Sequence, residues 1–116
     1  MKDIEHRIQV SCVKWFRMQN PSLKGNLVAI PNGGCRDVIT GKRLKDEGVV
    51  AGVADLMLLV ASHGYHALFI EMKTEKGRQS PSQVEFQKNV EQYGYKYVVC
   101  RSLDDFMQTI NDYLPK

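Results

Sequence analysis

The chain of 116 residues contains no CxxC pair, and its three cysteines, Cys12, Cys35 and Cys100, stand at unrelated spacings. Neither a zinc ribbon nor a disulfide framework is indicated. Reduced thiols in a cytoplasmic setting are the simpler reading. No repeat or low-complexity tract is visible, and long hydrophobic runs are missing. The longest apolar stretch, Val49 to Ala61, is interrupted by Asp55. It falls short of the about 20 residues a membrane span needs. The first residues, Met1 to Arg7, are charged and lack the apolar centre of a signal peptide. A strong charge of one sign is also absent. Sixteen Lys and Arg against 13 Asp and Glu leave +3, so only the distribution of charge can speak about partners. What is present is ordinary for a soluble globular protein: 43% hydrophobic and 25% charged residues. The length predicts one domain, residues 1–116.

Apolar residues at Ile4, Ile8, Cys12, Trp15 and Phe16 form nearly one helical stripe, which predicts a helix over 3–19. Asn20-Pro21-Ser22 breaks it. Residues 27–30 read as a short buried strand, followed by a loop at Pro31-Asn32-Gly33-Gly34. Residues 36–48 are polar and basic, and either a short helix or a loop fits them. Residues 54–61 and 66–74 give the best hairpin signal, with Ser62-His63-Gly64-Tyr65 as the turn. Ser80-Pro81-Ser82-Gln83 opens a helix that runs to Tyr93: Ser80 is the N-cap, Pro81 the first helical residue, and Gln83 completes a capping box. Residues 96–100 form a strand. Ser102 caps a last helix with Leu103, Phe106, Met107, Ile110 and Leu114 on one face. The order α-β-(α)-β-β-α-β-α predicts an α/β protein with a mixed sheet.

Asp55 is the most informative residue. It stands among Val53, Ala54, Leu56, Met57, Leu58 and Leu59, and a carboxylate in such a place needs a cation, a base or backbone donors. A strand-end Asp that caps a turn is the plain alternative. On the next strand Glu71 and Lys73 share a face with Phe69, while Leu68, Ile70 and Met72 point into the core. An even-length hairpin connection would set Asp55 opposite Met72, facing away from Glu71. An odd connection or a bulge brings the groups together, so such an irregularity is expected here. Two neighbouring carboxylates favour a hard divalent cation such as Mg²⁺ or Mn²⁺. The Met72 carbonyl can add a ligand, and the Lys73 ammonium can orient an activated water and stabilise a developing anion. A cross-strand Glu–Lys ion pair without catalysis is the plain alternative.

Asp55, Glu71-Met72-Lys73 and then Gln83 resemble the PD-(D/E)XK nuclease superfamily. The wider context resembles its VRR-NUC branch: Glu5 and Gln9, Pro31-Asn32-Gly33-Gly34, Leu44-Lys45-x-x-Gly48, Gly52-x-x-Asp55-Leu56, Ile70-Glu71-x-Lys73, Gly77, Ser80-x-x-Gln83 and Gly94. The resemblance covers roughly residues 5–101. It implies a restriction-endonuclease-like fold and metal-dependent DNA cleavage. It also implies that small stand-alone members form homodimers, and that some relatives act on branched DNA such as Holliday junctions. By resemblance Asp55 and Glu71 are metal ligands, Lys73 is the catalytic lysine, Gln83 is a polar group beside the site, and Glu5 joins the metal shell through water. Two departures stand out. Ala54 replaces the proline of the superfamily name, and Val98-Val99-Cys100-Arg101 is the nearest stretch to a Val-Arg-Arg.

Basic residues flank these positions in sequence: Arg36, Lys42, Arg43 and Lys45 before Asp55, Lys76 and Arg78 after Lys73. They are expected to hold a phosphate backbone, with solvated loops as the alternative. Asn32-Gly33-Gly34 would let a phosphate or a partner subunit approach closely. Glu5 and Gln9 otherwise read as a solvated helix face, and His63 and His66 as surface residues in a turn. The expected partners are DNA and a second copy of the chain. The alternative is a catalytically silent nucleic-acid-binding or structural module.

Overall fold

The computed structural model describes residues 2–31 and 38–116, with side chains for 4–31 and 41–116. Asn32, Gly33, Cys35 and Arg36 therefore lie outside the described residues. Helix α1 (Lys2–Gln19) leads through a 3-10 helix (Pro21–Asn26) into strand β1 (Leu27–Ala29). Then come α2 (Val38–Asp46), β2 (Leu56–Leu58), β3 (Leu68–Met72), α3 (Pro81–Gln92), β4 (Lys96–Cys100) and α4 (Leu103–Tyr113). The basic segment whose sequence left helix and loop open is thus helical over 38–46. The strands are shorter than the hydropathy suggests, because ladder pairing stops before the apolar run does.

The sheet order is β1-β2-β3-β4. β1–β2 and β2–β3 are antiparallel, and β3–β4 is parallel. A parallel neighbour requires a crossover, and α3 supplies it. Alternation along the strands loads both faces. Leu56, Leu58, Leu68, Ile70, Met72 and Cys100 pack with Cys12 and Phe16 of α1 and Phe106, Ile110 and Tyr113 of α4. The other face sends Met57, Phe69, Tyr97 and Val99 against Phe86 and Val90 of α3. The Phe69 and Phe86 rings meet edge to face at 5.1 Å, a favoured aromatic geometry. Glu71 sits on this second face and is the single charged residue in the buried set among the described residues.

Helix ends follow local chemistry. Ser80 accepts from the Gln83 N–H, and the Gln83 side chain accepts in turn from the Ser80 N–H, so the capping box is complete. Ser102 accepts from the Asp105 N–H and caps α4. Burial pushes the Cys12 thiol up to about 12 and raises the Cys100 thiol as well. Both cysteines are free, and they act as small core residues. Among the described residues no helix is long and apolar enough to cross a membrane.

Candidate active site

The site begins with the register of the hairpin. Leu58 pairs with Leu68 and Leu56 with Ile70, so the connection of residues 59–67 has an odd length. At its tip Ser62 bridges Tyr65, with His63 at φ 52 and Gly64 at φ 83. Two consecutive positive φ values define the primed turn that suits a twisted hairpin. Three residues then separate tip from ladder on the β2 side and two on the β3 side. That extra residue shifts the register by one. Continued past Leu56, the ladder sets Asp55 beside Glu71, the irregularity expected from the sequence.

Asp55 is fixed from two sides. Its carbonyl accepts from the Ile30 N–H at 2.8 Å. Its side-chain Oδ2 accepts from the Met72 N–H at 2.7 Å. The carboxylate is thereby held against the end of β3. Gly52 sets the approach of the preceding loop. At φ +87, a Cβ there would stand 2.3 Å from the Ser82 carbonyl oxygen and 2.9 Å from the Gln83 nitrogen. The loop bearing Asp55 can therefore lie directly on the N-terminus of α3, which carries Gln83.

Glu71 is 2% exposed. Its Oε2 accepts from the Gln83 Nε2 at 3.1 Å, and its Oε1 accepts from the Tyr97 hydroxyl at 3.4 Å. The Lys73 Nζ lies 3.9 Å from Glu71 Oε2. Gln83 therefore serves both roles that its position allows: its oxygen caps the helix while its amide nitrogen holds Glu71. Burial, reinforced by Asp55, pushes the Glu71 carboxyl up to about 8, against the opposing pull of Lys73 and Tyr97. Lys73 and the Tyr97 hydroxyl together do not offset the two acids and the lost water. Burial also raises the Tyr97 hydroxyl.

Tyr97 and Arg101 were not singled out in the sequence for this site. The register Phe69↔Tyr97 and Glu71↔Val99 places the tyrosine on the Glu71 face. The crossover was legible in the sequence, but that register was not. The Arg101 Nη1 donates to the carbonyls of Thr74 at 2.8 Å, Glu75 at 3.3 Å and Gly77 at 2.6 Å. It ties down the segment that follows Lys73, whose own N–H donates to the Cys100 carbonyl. An isolated Arg after a strand carries no signal of this in one sequence.

The other candidates fall in different places. Glu5 and Gln9 line a cleft of about 570 Å³ together with Asp55, so this face of α1 borders the site. Lys42 pairs with Asp46 at 3.3 Å on the exposed side of α2. Arg43, Lys45, Lys76 and Arg78 are exposed, and none of these basic residues lines the cleft that holds Asp55. His63 and His66 are exposed.

Asp55, Glu71, Lys73 and Gln83 thus lie together at the end of a mixed sheet, a candidate acid–acid–lysine site in a domain of the nuclease class. The VRR-NUC domain family model matches residues 4–104, and the chain belongs to that family. A solved structure described as a VRR_NUC domain protein superposes with a TM-score of 0.83 at 26% identity, covering 95% of this chain and 87% of that one. No curated protein matches.

Proposed function

We propose that the chain, acting as one nuclease domain, is a metal-dependent endodeoxyribonuclease. The observation that carries this reading is the buried Glu71 carboxyl beside Asp55, with the Lys73 ammonium 3.9 Å away on the same sheet face. The donor set fits a hard divalent ion. Two crowded carboxylates, one of them held protonated near neutral pH, form a site short of positive charge. Among the described residues no group of three or more His, Cys, Asp or Glu gathers for a metal. The remaining ligands would therefore be the Met72 carbonyl and water, with Glu5 reaching through water. Mg²⁺ or Mn²⁺ there would supply Lewis-acid activation of water and of the phosphodiester.

The chain's own residues supply the rest. Lys73 holds a positive charge at the site, where it can orient the attacking water and offset charge developing on phosphorus oxygens. Gln83 and Tyr97 fix the two Glu71 oxygens, and the Met72 N–H fixes Asp55. Arg101 keeps the segment after Lys73 in place. Exposed Lys42, Arg43, Lys45, Lys76 and Arg78, with Arg36, Asn32 and Gly33 beyond the described residues, would contact backbone phosphates. A small domain offers little surface for base reading, so recognition of DNA structure, branched junctions included, fits better than a long sequence. A homodimer would supply one cutting centre per strand.

The test is incubation with duplex, single-stranded and four-way-junction DNA in Mg²⁺, Mn²⁺ or EDTA. Cleavage should require the ion and vanish in Lys73→Ala, while that variant keeps its fold by circular dichroism and its Mn²⁺ binding by calorimetry. Normal cutting by Lys73→Ala would refute the mechanism. An ion-binding wild type that cuts none of the substrates would favour the silent module.

A further inference from the structure

The cleft that Asp55 borders is walled by one face of α1, and that face changes character along its length. Residues 6, 10, 14 and 17 recur at helical spacing. They set His6, Lys14 and Arg17 around Val10, opposite Ala29 and Ile30. Lys14 and Arg17 are exposed, and no ion pair among the described residues engages either of them. An Arg in the last turn suits the helix dipole whether or not anything binds. Lys14 lies a turn earlier, and both cations open onto the same cavity as a carboxylate of the site. At 1.5 Å rise per residue, the face from His6 to Arg17 is about 16 Å long, with Lys14 and Arg17 at its C-terminal end. That length suits several phosphates of one strand, each spaced by about 3.4 Å or more.

We infer that the α1 cleft is a binding track for one nucleic-acid strand, in which Lys14 and Arg17 meet successive backbone phosphates and lead the strand to Asp55. The inference takes its ligand from the function proposed above, but it concerns binding and does not depend on turnover. Sugars of the strand face the apolar floor of Val10 and Ile30. Apart from the His6 imidazole, the residues lining the cleft carry no aromatic ring, so the Val10 and Ile30 floor offers no stacking platform for successive bases. A strand phosphate is the shared chemistry of duplex and single-stranded DNA, and the two are separated by experiment.

The experiment measures anisotropy of fluorescein-labelled 20-mers, duplex and single-stranded, across a salt series. Ca²⁺ replaces Mg²⁺, and gels monitor any cleavage. In Lys14→Ala/Arg17→Ala the slope of log K against log salt should flatten by about 1.8 on duplex or about 1.4 on single strand, as expected for two lost phosphate contacts. Affinity at 0.1 M salt should fall at least about tenfold. Whichever DNA shows the full change is the one that lies in the track. A second variant, Lys24→Ala/Lys88→Ala, removes the same charge from exposed positions outside the cleft and should leave the slope unchanged. An equal fall in that control, or an unchanged slope in the cleft variant, overturns the track. Should the cleft variant keep its slope while the wild type cleaves, the track alone fails. Should the wild type bind neither DNA, both readings fall.

Discussion

Replacing Glu71 by glutamine should flatten the pH dependence of stability of the metal-free protein. The native carboxyl ionises at about 8 against an ordinary 4.5. Between these values the folded state holds a proton that the unfolded state has released, so stability falls as pH rises. The stabilising contribution is complete below pH 4.5 and lost by the time pH passes 8. Integrating between pH 5 and 8.5 gives about 4 kcal/mol at most. Relaxation and water entry reduce this, so about 2–4 kcal/mol is expected. Glutamine keeps the shape. Its oxygen can accept from Gln83 or Tyr97, and its NH₂ can donate to Asp55 as the protonated acid would. Relative to wild type, Glu71→Gln should thus gain about 2–4 kcal/mol over that pH range. Urea unfolding in EDTA reads this through the fluorescence of Trp15, the single tryptophan, which packs edge-on to Phe106 at 6.1 Å. Parallel pH curves for the two proteins would refute the burial argument. Added Mn²⁺ should raise stability at pH 8.5 in the wild type and far less in the variant.

Two further substitutions probe the scaffold of the site. Arg101→Ala removes the guanidinium donor from the carbonyls of Thr74, Glu75 and Gly77, of which Thr74 keeps the Gly77 N–H, and should cost about 1–2 kcal/mol. Amide exchange over 74–79 should quicken, and cleavage should lose kcat more than KM. Unchanged exchange there would show that the guanidinium does not hold the segment. Gly52→Ala forces a left-handed φ on alanine and drives a methyl into the Ser82 carbonyl. It should destabilise by roughly 2 kcal/mol or more, read as a lower urea midpoint, and an unshifted midpoint would contradict the close approach.

Local chemistry made much of this protein legible in its sequence. The stripe from Ile4 to Phe16 gave α1, and the capping box at Ser80 gave the start of α3. The alternation Phe69, Glu71, Lys73 named which side chains share a face, because period-two geometry is a property of any strand. Asp55 stood out because an acid inside an apolar run needs a partner. Even the odd connection could be required from the residues, since a regular hairpin would have turned Asp55 away from Glu71. Four things were settled only by tertiary structure. The extra residue between β2 and the turn shifts the register. The parallel pairing of β3 with β4 brings Tyr97 to Glu71. Arg101 reaches back across more than 20 positions to three carbonyls. And the face of α1 that periodicity alone reads as solvated borders the same cleft as Asp55. Caps and periodicity act within a few residues and are written in local order. Register between strands and the approach of distant segments depend on how the whole core closes, and one sequence does not spell that out.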